Sequence, residues 1–212
     1  MNEKLMQGCA KLGLNLSQVQ FDQLETYINA VLDFNKTYNL MKADNADELA
    51  VNHVLDSLAA VPHIASLIKP ESKIGDIGSG GGCPGIPLAV AFPENSFTLV
   101  ERMEKRCVFL ESAVRKMNLK NVKVLCSQAD SVEKEIFDLE VFRAFHPFDK
   151  KIVKLLFGML KKGGHLAAYK ARLEKINAEM AEVQVMVPDY KVINLTVPFL
   201  EDHERNLVVI QK

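Results

Sequence analysis

Apolar residues in the first part of the chain recur every three or four positions. Between Ser17 and Phe34 they fall at Val19, Phe21, Leu24, Tyr27, Ile28, Val31 and Leu32. That spacing lines one face of a helix, and Ser17 is a residue type that caps helix starts. Leu49, Val51, Val54, Leu55 and Leu58 repeat the pattern from Asp47 to Ala60. Residues 1–70 therefore read as a helical extension. Beyond them the period changes. KIGDIG is a short strand entering a glycine-rich loop, and Pro87 to Phe92 belongs to a helix. FTLVE is a strand, Glu104 to Met117 a helix, VKVLC a strand and DLEVFRA another. A helix from Asp149 to Leu160 is expected to stop at Gly163-Gly164, followed by the strand HLAAYK and a helix from Arg172 to Val185. KVINLTVPFL and RNLVVIQK form a strand pair around the charged turn EDHE. Strands alternating with helices predict an α/β domain over residues 71–212: a parallel sheet covered on both faces, the last pair adding an antiparallel edge. There is no internal repeat and no low-complexity linker.

Composition adds boundaries rather than a function. The chain has 212 residues, 48% of them apolar, and a net charge of -1, which neither announces nor excludes a nucleic-acid partner, because a local patch can still be basic. Apolar stretches such as Ile86 to Phe92 are too short to span a bilayer, and the N-terminus lacks a signal peptide's apolar core. Cys9, Cys83, Cys107 and Cys126 have no metal-ligand spacing and read as reduced cytosolic thiols. A cytoplasmic protein without metal and without membrane contact is expected.

The candidate chemistry lies in IGDIGSGGGCPG, from Ile74 to Gly85. A phosphate-binding P-loop needs a lysine and a hydroxyl after its last glycine, and Ile86 and Pro87 stand there instead. A dinucleotide fingerprint fits Gly80, Gly82 and Gly85 weakly, with Pro84 inside it. Asp76 is the more informative residue, in the pattern Asp76-x-Gly78-x-Gly80-x-Gly82. A carboxylate there repels a pyrophosphate and welcomes an ammonium group. S-adenosylmethionine carries such a group and no phosphate, so Asp76, Gly78, Gly80 and Gly82 are candidate cofactor residues. Glu101, at the end of the second strand, suits the ribose hydroxyls of an adenosine cofactor, NAD as well as S-adenosylmethionine. Ala129-Asp130, after the third strand, is a candidate for the adenine, although Asp130 also suits a helix cap.

These residues sit within a longer likeness. FNKTYNL, NHVLDSLA, IGDIGSGGGCPGIPLA, FTLVERMEKRCVFL, FRAF and LKKGGHLAAYK, in that order from about residue 20 onward, resemble the RsmG (GidB) family of 16S ribosomal RNA methyltransferases. The resemblance implies a Rossmann-like class I S-adenosylmethionine-dependent methyltransferase: a mostly parallel seven-stranded sheet with helices on both faces behind an N-terminal helical extension. It implies methyl transfer from S-adenosyl-L-methionine to N7 of a guanine in the decoding region of 16S rRNA. The partner is then 16S rRNA or the small ribosomal subunit, and the chain is expected to act as a monomer. Carried over by position, the cofactor residues are Gly78, Cys83, Glu101, Ala129, Asp130 and Arg143. The chain departs from the family pattern at Cys83, Gln128, Phe142 and Ala171.

N7 of guanine is a neutral lone pair that loses no proton when methylated, so the reaction asks for positioning rather than a general base. Arg143 and Lys170, each ending a predicted strand, are the catalytic candidates. Without the resemblance both read as surface cations. His53 reads as a buried hydrogen-bonded histidine, Asp56 and Ser57 as residues fixing the extension to the loop, and Phe145 as core or as a base-stacking ring. Two further readings remain at this level: a small-molecule methyltransferase with a closed apolar pocket, and a non-catalytic nucleotide-binding module.

Overall fold

The structure is a computed structural model that describes residues 2–212. Among the described residues, five α-helices form the N-terminal part, the first two started by local capping signals. α1 (Glu3–Lys11) starts where the Asn2 side chain accepts from the Leu5 amide. α2 (Gln18–Asn35) starts with a reciprocal capping box between Ser17 and Gln20. One continuous helical run follows: α3 (Ala46–Leu49), a π-helical stretch (Ala50–Leu55) and α4 (Asp56–Leu58). A wide π turn inside an α run is uncommon and recurs at functional sites. α5 (Val61–Ala65) leads to the sheet.

The strands are β1 (Lys73–Ile77), β2 (Ser96–Glu101), β3 (Val122–Cys126), β4 (Phe137–Arg143), β5 (Leu160–Lys170), β6 (Lys191–Asn194) and β7 (Asn206–Gln211). They form one seven-stranded sheet in the order β3-β2-β1-β4-β5-β7-β6. β1 to β5 run parallel, and β7 is antiparallel to both β5 and β6. α6 (Gly85–Ala91), α7 (Glu104–Lys116), α8 (Lys150–Met159) and α9 (Leu173–Val183) are the connections.

Alternation along the strands sorts the core into two layers. Ile74, Leu99, Leu139 and Val141 pack with the N-terminal helices, α6 and α7. Ile77, Val100, Phe142 and Ala168 pack with α8 and α9. The predicted doubly covered sheet with an antiparallel edge is therefore what the chain adopts. The strand order reverses at β1, so the loops after β1 and β4 part and leave a crevice at their carboxyl ends.

α1 falls within the stretch read as helical, with Leu5, Gly8 and Cys9 buried against the helical run. Local readings needed correction in two places. Gly163-Gly164 does not end a helix. α8 stops at Met159, because Leu160 is already extended, and both glycines lie inside β5. There a Cβ on Gly164 would lie 2.9 Å from the Asp138 carbonyl, beside a register shift between Phe137 and Leu139. Cys107 on α7 and Cys126 at the end of β3 are joined as a disulfide, their Cα atoms 5.7 Å apart, so the expectation of four separate reduced thiols holds only for Cys9 and Cys83. Sequence spacing did not show this because the two meet only when α7 packs back on β3.

Glu140 is the oddity of the sheet. It sits in mid-β4 with no exposure, and neither carboxylate oxygen has a hydrogen-bond partner among the described residues. Burial pushes its carboxyl well above the ordinary 4.5. The folded state thus keeps a proton that the unfolded chain releases. This contribution to stability is complete below the unfolded value and is lost as pH rises toward the raised folded one. Glu140→Gln is expected to stabilise the protein at pH 7, where the buried carboxyl holds a proton that the unfolded chain has released. It should change little at pH 4. Thermal melts of both proteins at the two pH values check this, and an equal effect at both would refute it.

Candidate active site

The glycine loop leaves β1 and turns into α6. Gly78 and Ser79 amides donate to the Val100 carbonyl (2.9 and 3.0 Å), which ties the loop to β2. Gly78, Gly80 and Gly82 all have positive φ, at 72°, 58° and 103°. That backbone is open to glycine and strained for other residues. Gly78 is crowded as well: a Cβ there would collide with the Phe145 ring.

Asp76 lies beneath this loop, fully buried. One carboxylate oxygen accepts from Ser79 Oγ (2.7 Å) and from the Gly85 amide (3.0 Å). The other has no partner among the described residues. Burial raises the carboxyl to about 6, against the lowering effect of those two donors. The sequence reading aimed Asp76 at an ammonium group; in the structure one of its oxygens joins the loop to α6.

Glu101 braces the other side. Its Oε2 accepts from the Gly80 amide (2.9 Å), and its Oε1 from the amides of Arg102 (2.9 Å) and Met103 (2.8 Å). Arg106 stands 3.8 Å away as its counter-ion. The carboxylate is thus at the end of β2, as the strand pattern predicted, and it also contacts the loop.

Above the loop opens a cavity of about 730 Å³. Gly78, Gly80, Cys83, Arg143 and Lys170 line it. Gly82 does not; its backbone turns the loop behind the lining. Ala129 and Asp130 border a separate depression beside α8, where Met186 and Lys154 also lie. Both lie in the short 3-10 turn Ala129–Ser131 that follows β3. Cys83 Sγ is 3.2 Å from the Tyr27 hydroxyl, which donates to the Gly81 carbonyl (2.7 Å), so the N-terminal extension holds the loop directly.

Opposite the loop the cavity wall is cationic. Arg143, at the end of β4, donates to Asp56 (2.6 Å) and to His53 Nδ1 (3.0 Å). Arg205 Nε donates to the other Asp56 oxygen (2.8 Å). His53 is held below its ordinary pKa, first by burial and then by Arg143. The neutral ring thus accepts from Arg143 and donates through Nε2 to the Lys42 carbonyl (3.1 Å). Lys170 donates to Glu179 (2.6 Å) and to the His146 carbonyl (3.3 Å), with the Phe148 ring beneath it.

Arg205 was missed in the sequence. Its signal was topological: β7 runs antiparallel, so its beginning meets the end of β5, Lys170 opposite Asn206. A search confined to strand ends passes over it. Asp56 was read as a tether and is one, but the elements it ties are the two arginines.

A seven-stranded sheet of this order, with a glycine loop after β1 and an acid after β2, defines the S-adenosylmethionine-dependent methyltransferases of Rossmann-like fold. Solved neighbours agree. The tRNA methyltransferase TrmI from Aquifex aeolicus matches with a TM-score of 0.59 at 17% identity, over 74% of this chain and 68% of its own. M. jannaschii TYW2, solved in complex with AdoMet, matches with a TM-score of 0.51 at 16% identity, over 74% and 75%. The family model for rRNA small subunit methyltransferase G (GidB) matches residues 20–208, and the chain belongs to that family. It is 35% identical to ribosomal RNA small subunit methyltransferase G of Treponema denticola, over 100% of this chain and 94% of that protein. No helix among the described residues is long and apolar enough to cross a membrane, and no group of three or more metal-ligating side chains occurs among them.

Proposed function

We propose that the protein transfers a methyl group from S-adenosyl-L-methionine to N7 of a guanine in the decoding region of 16S rRNA, acting as a monomer in the cytoplasm. The observation that carries this reading is the juxtaposition, across one cavity, of the glycine loop with Arg143, Arg205 and Lys170. S-adenosylmethionine fits the loop chemically: the loop offers open glycine backbone and no P-loop lysine, with the Glu101 carboxylate at its flank. Gly78, Gly80, Cys83, Glu101 and Arg143 would hold it, with Asp76 and Gly82 shaping the loop from behind and Ala129-Asp130 bordering the adenine end. When bound, it supplies an electrophilic methyl group.

The protein's own residues then have a positioning task. A guanidinium has five N–H donors. Asp56, His53 and the Asn52 carbonyl take three contacts from Arg143, leaving donors for guanine O6 or for a carboxylate. Lys170 and Arg205 add charge for RNA phosphates. No proton has to leave N7, so no base is needed. The cationic wall speaks against the small-molecule reading, which asked for a closed apolar pocket.

Incubating the protein with labelled methyl donor and small subunits lacking the mark, then mapping the labelled base, is expected to reveal 7-methylguanine in 16S rRNA. Absence of transfer to subunits and to free 16S rRNA would refute the proposal. Lys170→Ala should leave S-adenosylmethionine binding within about 3-fold by calorimetry and lower RNA methylation at least ~10-fold, the scale of a lost charge-assisted contact. Parallel loss of both would assign Lys170 to the cofactor side.

A further inference from the structure

We infer that Phe145 is the ring on which the target guanine stacks, and that its face stabilises the positive charge the purine acquires during methylation. The inference rests on the function proposed above. Three phenylalanines follow one another at the end of β4, and they are not equivalent. Phe142 and Phe148 are 1% exposed and belong to the core. Phe145 is only half-buried and lines the cavity with Arg143 and Gly78. Its ring lies against Gly78, the first glycine of the loop, where even a methyl group would not fit. A planar group entering the cavity beside the loop therefore meets this ring.

The ring is also held in place. Ala144 turns the chain through the left-handed region at φ 52°, a conformation that a non-glycine residue adopts only when its surroundings enforce it. Phe142 meets the Phe145 ring edge-on at 6.1 Å, and His146 does so at 4.8 Å. Glu179 anchors the far end of the loop, accepting from the Phe148 amide (2.8 Å) and from Lys170, which itself donates to the His146 carbonyl. Phe145 packs against the core layer of α8 and α9 and still leaves part of its ring uncovered at the cavity, on a loop that is strained and polar-anchored.

The chemistry gives such a ring a purpose beyond docking. The N7 lone pair forms the new carbon–nitrogen bond as the methyl–sulfur bond breaks. The electron pair of that bond returns to sulfur, no proton moves, and the positive charge ends on the purine. Aromatic faces attract cations, so a stacked phenyl ring holds the transition state more tightly than the neutral base. An extruded base read by an aromatic face and a neighbouring arginine is a general solution for chemistry on a single nucleotide.

The test measures methyl transfer to unmodified small subunits alongside S-adenosylmethionine affinity. Phe145→Leu is expected to lower kcat about 10- to 100-fold, the range of a lost base–aromatic stack, with cofactor affinity within 3-fold of wild type. Phe145→Tyr should restore most of the rate. A ring-fluorinated phenylalanine at the same position, equal in shape and poorer in face charge, should again lower kcat; a filler of space would not register that change. Unaltered kcat in Phe145→Leu, or full activity with the fluorinated ring, overturns the inference while leaving the proposed function standing. Loss of cofactor binding in step with activity also overturns it, assigning Phe145 to the loop. Absence of transfer by the wild type removes the reading on which it rests.

Discussion

Asp56→Ala is expected to destabilise the protein by about 2–4 kcal/mol and to reduce methyl transfer below about 1% of wild type, since removing one partner of a buried ion pair leaves the other charge uncompensated. Asp56 is 4% exposed and accepts from two arginines, one on each oxygen, at 2.6 and 2.8 Å. Without it, Arg143 and Arg205 face each other as like charges in a half-closed cavity. Arg143 keeps only the neutral His53 and a long contact to the Asn52 carbonyl. Both guanidiniums retain some solvent contact, with side chains 20% and 29% exposed, which holds the loss below that of a sealed pair. Urea denaturation gives the stability and the labelled transfer assay the rate. Asp56→Asn keeps the shape and both acceptor directions of one oxygen, and should fall between the two. Wild-type activity in Asp56→Ala would show that the arginines hold their places without the carboxylate.

Gly78→Val is the second large effect. Two penalties meet at one position: a β-branched residue forced to φ 72°, and a side chain in the space of the Phe145 ring. The loop, tied by its amides to Val100 and through Gly80 to Glu101, has little freedom to absorb either. S-adenosylmethionine affinity is expected to fall at least ~100-fold, about 3 kcal/mol, and activity with it. Gly13, also at positive φ (69°) but with open space around it, is the control: Gly13→Ala should leave binding unchanged. Calorimetry on both variants decides. Retained affinity in Gly78→Val would mean that the loop is not the cofactor seat.

These variants mark how far the chain could be read without its fold. Ser17 caps α2, Asp149 caps α8, and the strand-helix alternation produced the doubly covered sheet, because caps and periodicity are properties of neighbours in sequence. Glu101 was found at the end of β2 for the same reason: a strand end following a glycine loop is a local pattern. Asp76 was legible as a residue of the loop, but its tie to the start of α6 was not. Whether a carboxylate faces a cavity or a helix start depends on which way β1 pleats, and only packing against α6 and Leu99 sets that.

By itself the sequence determined the architecture, the loop and the family, since each is written in short-range pattern or in residue order. Only the tertiary structure decided that Asp56 and Arg205, 149 positions apart, share a hydrogen bond, and that Ala129-Asp130 border a different depression from the one the loop lines. It alone showed that of three nearby phenylalanines, Phe145 is the one left facing the cavity. The physical reason is the same in each case. Spacing along a chain sets which face of an element a side chain occupies, whereas its partner depends on the order and direction in which distant elements pack. In this protein β7 runs against its neighbours, and that reversal brings Arg205 to the site.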